Sequence, residues 1–93
     1  MSPGSPAGNN VSRARAVVEV LARALTDRPD DVRVTETDQR GTTLVELYVG
    51  NGELGRVIGK QGRTAAALRT LAASAAEIDG KTVTVEIREG RPV

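Results

Sequence analysis

Leu54-Gly55-Arg56-Val57-Ile58-Gly59-Lys60-Gln61-Gly62-Arg63 is the stretch from which the rest of the chain is placed. It reads as a one-turn helix, a Gly-Lys-Gln-Gly corner and the first residue of a longer helix. Glycines three apart let two helix ends meet tightly, with backbone exposed at the corner and no Cβ in the way. Arg56, Lys60 and Arg63 surround the corner, and no acidic residue falls between Gly55 and Arg69. Bare backbone, a helix N-terminus and unopposed positive charge together suit a phosphate. The elements on either side decide which phosphate-bearing ligand fits.

Downstream, Arg63 to Glu77 is alanine-rich and strongly helical, with Leu68, Leu71, Ala72 and Ala75 as its expected buried stripe. Asp79-Gly80 ends that helix, and Lys81 to Arg88 alternates as a strand with Val83, Val85 and Ile87 inward. Upstream, Thr42 to Val49 is a strand in which Val45, Leu47 and Val49 share one face and Leu44 and Tyr48 the other. Gly50-Asn51-Gly52 breaks it, and Asn51 is placed to cap the short helix. Val32 to Thr37 is an earlier strand, joined through the turn Asp38-Gln39-Arg40-Gly41, so the two form an antiparallel hairpin. Before it, Ser12 is the expected N-cap of a helix to about Thr26, with Ala14, Val17, Val18, Leu21 and Leu25 on its apolar face and Pro29 as its stop.

The order is α-β-β-α-α-β. The helical connection between the second and third strands suits a parallel pair with a right-handed crossover. The expectation is a two-layer α+β domain: a three-stranded mixed sheet, second strand central, with three helices on one face. Residues 12–89 form the domain. Residues 1–11, rich in Pro, Gly, Ser and Asn, have nothing to bury and read as a disordered tail, and residues 90–93 read as a C-terminal tail.

Composition narrows the chemistry. Ninety-three residues with 39% apolar content make one small core. With no Cys and no His, disulfides, thiol chemistry, Cys/His zinc sites and histidine acid–base catalysis are all excluded. The apolar runs are too short to cross a bilayer and the N-terminus lacks a signal-peptide core, so a soluble cytoplasmic protein without membrane partners is expected. The net charge of +1 hides an uneven distribution. Residues 27 to 46 carry Asp27, Asp30, Asp31, Glu36, Asp38 and Glu46, whereas Arg56, Lys60, Arg63 and Arg69 stand unopposed along the chain. Asp30 and Asp31 are adjacent acids, but they lie in a turn where capping accounts for them, so no catalytic pair is expected.

Three glycine patterns overlap at the corner. Gly50-x-Gly52-x-x-Gly55 matches the dinucleotide fingerprint in letters only, because the helix it opens is interrupted at Gly59, where a dinucleotide fold needs an unbroken helix. Gly59-Lys60 is not the end of a Walker A loop, since Leu54 stands where its first glycine belongs and Gln61 where it needs Ser or Thr. The third pattern is helix–Gly-x-x-Gly–helix, the loop with which KH domains clamp about four nucleotides of backbone.

Here the chain resembles a known family. Val57-Ile58-Gly59-Lys60-Gln61-Gly62-Arg63 is similar to the KH signature, an aliphatic pair leading into G-x-x-G with basic residues inside and after it. The α-β-β-α-α-β order is similar to the type II, prokaryotic KH fold, and Leu54 to Ala65 looks like the small single-KH bacterial proteins of the KhpA type. The resemblance covers roughly residues 12 to 89. One departure is Ala65, where many KH domains carry a larger aliphatic residue, which implies a shallower groove floor or a closer helix.

The resemblance implies a non-catalytic, single-stranded RNA-binding protein, acting as an RNA chaperone or post-transcriptional regulator. It also implies a homodimer or a larger KH-containing partner, links to cell-shape control, and no cofactor or metal. Gly59 and Gly62 would let a sugar–phosphate chain approach the backbone, with Lys60, Arg63 and Arg56 supplying cations and Gln61 an amide donor. Val57 and Ile58 would line the groove for bases, and equally suit the core. Arg69 lies about 240° around the helix from Arg63 and is left outside the site. With Tyr48 the only aromatic residue, base-stacking folds of the RRM or OB type are disfavoured, and two or three phosphate contacts imply a salt slope of about −2. A protein-interaction or dimerisation module, with the corner docking a protein, is the alternative reading.

Overall fold

A computed structural model describes residues 11–93; the tail expected over residues 1–11 therefore falls almost wholly outside the described residues. Helix α1 (Arg13–Leu25) is followed by strands β1 (Arg33–Gln39) and β2 (Thr42–Val49), helices α2 (Leu54–Ile58) and α3 (Arg63–Ile78), and strand β3 (Thr82–Glu89). Single 3₁₀ turns at Pro29–Asp31 and Lys60–Gly62 complete the path. The sheet order is β1-β2-β3, with β1 antiparallel and β2–β3 parallel. The expected α+β architecture and element order are those observed.

Local chemistry sets each boundary. Ser12 Oγ accepts a hydrogen bond from the Arg15 amide at 3.0 Å, satisfying one of the orphan N–H groups of the first turn. Asp79, just past α3, accepts from the Arg13 amide at 3.1 Å and pairs with the Arg13 guanidinium at 2.6 Å, so the end of one helix caps the start of another. Strand β1 runs two residues beyond the expected Thr37. The reason is a two-residue hairpin loop in which Arg40 (φ 52°) and Gly41 (φ 84°) both take positive φ, closing the ladder at Gln39–Thr42.

One sheet face carries the core. Val34, Val45, Leu47, Val49 and Val85 bury against Ala14, Val18 and Ala22 of α1, Val57 of α2, and Leu68, Ala72 and Ala76 of α3. The expected stripes need two corrections. Leu71 is 50% exposed and Leu25 is also exposed. In α3, the buried line runs through Ala65, Leu68, Ala72, Ala75 and Ala76, so alanine brings the helix close to its neighbours and leaves Leu71 on the rim of the α1–α3 seam. The other sheet face is uncovered. There Tyr48 stands between Arg33 on β1 and Arg88 on β3 in one cross-strand row.

Leu47 lies at the centre of the sheet and is fully buried. Leu47→Ala is expected to destabilise the domain by about 2–5 kcal/mol, as core leucine truncations do, read as a lower urea midpoint at unchanged slope.

Candidate nucleic-acid interface

The corner is built by an unusual run of backbone. Gly59 has φ 76° and ψ 174°, Gln61 has φ 56° and ψ 24°, and Gly62 has φ 72° and ψ 12°. Gly59 ends α2, its amide donating to Gly55 O at 2.9 Å. Its conformation is nearly closed to any residue with a Cβ. Space is missing as well, because a Cβ there would lie 2.2 Å from Thr64 Oγ1 and 2.7 Å from Thr64 Cβ. At Gly62 a Cβ would meet nothing within 4 Å, so only backbone conformation selects glycine there. Gln61, with a side chain, occupies the left-handed region between them.

Helix α3 then starts without help. Gly62 offers no side-chain cap and the first turn contains no acidic residue. Arg63 instead opens the helix at its positive end, the placement that a helix dipole disfavours. Lys60 is exposed and, among the described residues, has neither a salt bridge nor a side-chain hydrogen bond. Arg63 Nη2 donates to Gln61 Oε1 at 2.7 Å, which steadies both side chains and leaves the Gln61 amide nitrogen as an outward donor. Uncapped N–H groups, two cations without acidic partners and an exposed amide thus share one corner.

The other expected residues divide. Val57 is fully buried and belongs to the core; its side chain supports the corner from beneath. Ile58 is partly exposed beside it. Arg56 is not a free cation: its Nη2 lies 2.7 Å from Asp27 and its Nε 3.8 Å from Glu53. Both partners lie outside the acid-free 55–69 stretch: Glu53 is three residues upstream, and Asp27 is brought in by the fold. Ala65 is buried, consistent with close approach of α3. Arg69, left outside the site on helical angle, donates from Nε to Val85 O at 3.2 Å and so lies across the α3–β3 cleft. No pattern in the sequence announces that contact, which follows from the packing of α3 on β3.

Asn51 does not cap α2. Glu53 occupies the N-cap position instead and is 9% exposed. Its carboxylate accepts from the Thr26 hydroxyl and, at 2.7 Å, from the Asp27 amide, tying the end of α1 to the start of α2. These hydrogen bonds, first that of Thr26 and then that of Asp27, with the charges of Arg56 and Arg28 behind them, hold the Glu53 carboxyl below its ordinary value. Among the described residues no group of three His, Cys, Asp or Glu is arranged to hold a metal, and no helix is long and apolar enough to cross a membrane.

Comparison with known proteins gives the family of this chain. The family model for the KH domain of KhpA/KhpB matches residues 15–87. The chain belongs to that family. It is 47% identical over 79 residues to RNA-binding protein KhpA of Aquifex aeolicus, covering 85% of this chain and all of the relative. RNA-binding protein KhpA of Clostridium perfringens is 44% identical, covering 78% of this chain and 97% of that protein. The corresponding protein of Treponema pallidum is 39% identical, covering 83% and 96%. Among solved structures, Aquifex aeolicus Era bound to GDP and aluminium fluoride matches with a TM-score of 0.61 at 20% identity, over 99% of this chain. Era in complex with MgGDPNP and nucleotides 1506–1542 of 16S ribosomal RNA gives a TM-score of 0.59, also at 20% identity, over 96% of this chain. This chain spans about a third of each Era chain (34% and 35%), and the likeness is one of fold.

Two expectations follow from the corner. Gly59→Ala is expected to lower the thermal midpoint more than Gly62→Ala, because the first meets both steric overlap and a disfavoured backbone region, and the second only a left-handed conformation costing about 1–2 kcal/mol. Equal midpoints for the two variants would contradict the packing described. The depressed Glu53 carboxyl makes stability acid-sensitive. Its contribution is fully present above the ordinary glutamate value of 4.5 and is lost as pH falls through the lower folded value. Asp79, held low chiefly by the Arg13 amide, acts in the same direction. Glu53→Gln is therefore expected to be less stable than wild type at neutral pH, with the gap narrowing in urea titrations as the pH is lowered below 4.5.

Proposed function

We propose that this chain is a non-catalytic, single-stranded RNA-binding protein that clamps the RNA backbone at the Gly59–Gly62 corner, acting in the cytoplasm as an RNA chaperone or post-transcriptional regulator. One observation carries the reading: in a KhpA/KhpB-family KH domain, the corner presents Lys60 and Arg63 without acidic partners beside an uncapped helix start. The relatives' name, RNA-binding protein KhpA, supports the same ligand class and no enzymatic role.

The physical steps are these. A sugar–phosphate chain passes over Gly59 and Gly62, where the missing side chains allow contact with backbone. Lys60 and Arg63 form charge-assisted hydrogen bonds to phosphate oxygens, and the Gln61 amide donates a third. Bases lie toward the cleft between α2, α3 and β3, bordered by Ile58, with Val57 beneath it and Arg69 across it. Arg56, neutralised by Asp27 and Glu53, fixes α2 and adds little charge. So few anchors, without aromatic stacking, give modest affinity and weak sequence preference.

A lone, weak clamp gains from a second one nearby. Ala16, Val17, Val20 and Leu21 of α1 with Leu71 of α3 line an open apolar groove, which suits a second copy or another KH-containing protein. Coverage of this groove would account for Val20 and Leu71, which are 66% and 50% exposed in the lone chain.

Lys60→Asp/Gln61→Asp is the test. Both residues are exposed, so circular dichroism and melting should match wild type, while binding to a short unstructured RNA should weaken by at least about tenfold through repulsion of phosphate. Undiminished binding by the folded variant would dismiss the corner as the RNA site. Absence of salt-sensitive binding by wild type at micromolar concentration would move the corner to a protein partner.

A further inference from the structure

A second basic site lies at the other end of α2. Where β2 gives out, Gly50 and Asn51 turn beside the 3₁₀ turn at residues 29–31. The C-terminal segment is drawn to the same place by the Gly90 amide, which donates to Val49 O at 2.8 Å. Between them is a polar pocket of about 190 Å³ lined by Arg28, Arg33, Arg91, Asp31, Gly50 and Asn51. Three arginines and one aspartate therefore line it, and the nearby Glu89 carboxylate is engaged by the Gly52 amide at 2.6 Å.

The arginines are not equally engaged. Arg28 Nη1 donates to Asn51 O at 3.3 Å, and its Nε lies 3.8 Å from Asp31 Oδ2. Arg33 Nη1 is fixed by the carbonyls of Asp30 at 2.8 Å and Val32 at 2.9 Å, which hold the guanidinium without neutralising it. Arg91, among the described residues, makes no salt bridge and no side-chain hydrogen bond. Asp31 is thus answered by Arg28, and the charges of Arg33 and Arg91 remain open. Gly50 keeps the floor low, since a Cβ there would come within 2.8 Å of Asp31 Oδ2. Planar guanidinium groups converging on a small polar pocket match the tetrahedral oxygens of a phosphate.

We propose that this pocket holds a backbone phosphate of the same RNA strand that the corner clamps, an inference that rests on the reading of the corner given above. The five residues of α2 alone separate the two sites by roughly 8 Å at 1.5 Å per residue, more than one phosphate group spans. The pocket is therefore a separate contact: the corner takes up about four nucleotides, and only a longer strand has phosphates left over for the pocket. A 12-nucleotide strand, about 40 Å long even at the 3.4 Å spacing of a stacked chain, matches the 39 Å long axis of the domain. The pocket makes binding depend on strand length, with no base read by it.

The experiment compares wild type, Arg91→Gln and Arg33→Gln/Arg91→Gln by fluorescence anisotropy on a 4-nucleotide and a 12-nucleotide RNA across a salt series. Among the described residues Arg91 has no side-chain partner, so its variant is expected to melt as wild type does. The expected result is unchanged binding of the short RNA. On the long RNA the double variant weakens about threefold to tenfold, and its log–log salt slope is shallower by about 0.7, the value of one single-strand phosphate. Equal affinity and slope on the long RNA would overturn the proposal. So would saturable binding of a nucleoside monophosphate that the double variant alone loses while the long RNA is held as before, which would assign the pocket to a free phosphate. Lys60→Asp/Gln61→Asp run alongside tells the two failures apart: if it still abolishes binding, the corner stands and only the pocket falls.

Discussion

Thr64 lies so close to the Cα of Gly59 that a single added carbon would overlap its hydroxyl. That approach lets α3 begin at Arg63 with only four residues between it and the end of α2 at Ile58. From there the alanine line of α3 reaches the sheet. β3 pairs with β2 after the crossover that α3 supplies. The exposed corner is thus the outside of a joint whose inside is packed as tightly as backbone permits. Glu53 secures the joint from the other side by receiving hydrogen bonds from Thr26 and Asp27, which tie the end of α1 to the start of α2.

The charge pattern around this joint separates structure from binding. Arg56 is matched by Asp27 and Glu53, and Arg13 by Asp79, each fastening one element to another. Among the described residues Lys60 and Arg63 are fastened to no other element, and Arg63 opens a helix whose dipole disfavours it. An isolated domain selected for stability alone would carry Asp, Ser or Thr at that end. Under the function proposed above, an RNA phosphate is the partner that would settle this discord.

Much of this was legible in the sequence. Period-two valines marked the sheet, the i, i+3, i+4 pattern marked α1, and glycine spacing marked the corner, because these are consequences of local geometry. Most of the misses have one cause. Leu71 was placed in the core by helical period, yet alanines took the contact and the leucine fell on the seam rim. Asn51 is a good N-cap by type, but Glu53 has tertiary donors waiting for it. Arg56 looked unopposed and Arg69 looked remote until folding brought Asp27 and the Val85 carbonyl beside them. Strand β1 outran its expected end because Arg40 accepts a left-handed conformation that its side chain does not advertise. Contacts between residues distant in sequence are set by packing, and single-chain patterns do not encode them.

The uncovered sheet face has an optical consequence. The chain contains no tryptophan or phenylalanine and one tyrosine, so Tyr48 supplies essentially all of its near-ultraviolet absorption and emission. It sits on the face turned away from the helices, in the row that joins Arg33 to Arg88. Its ring is therefore a built-in lamp on one side of the molecule, with Arg33 as its cross-strand neighbour and the core between it and the helices. Light from this protein reports the state of its bare sheet and stays silent about the joint between α2 and α3.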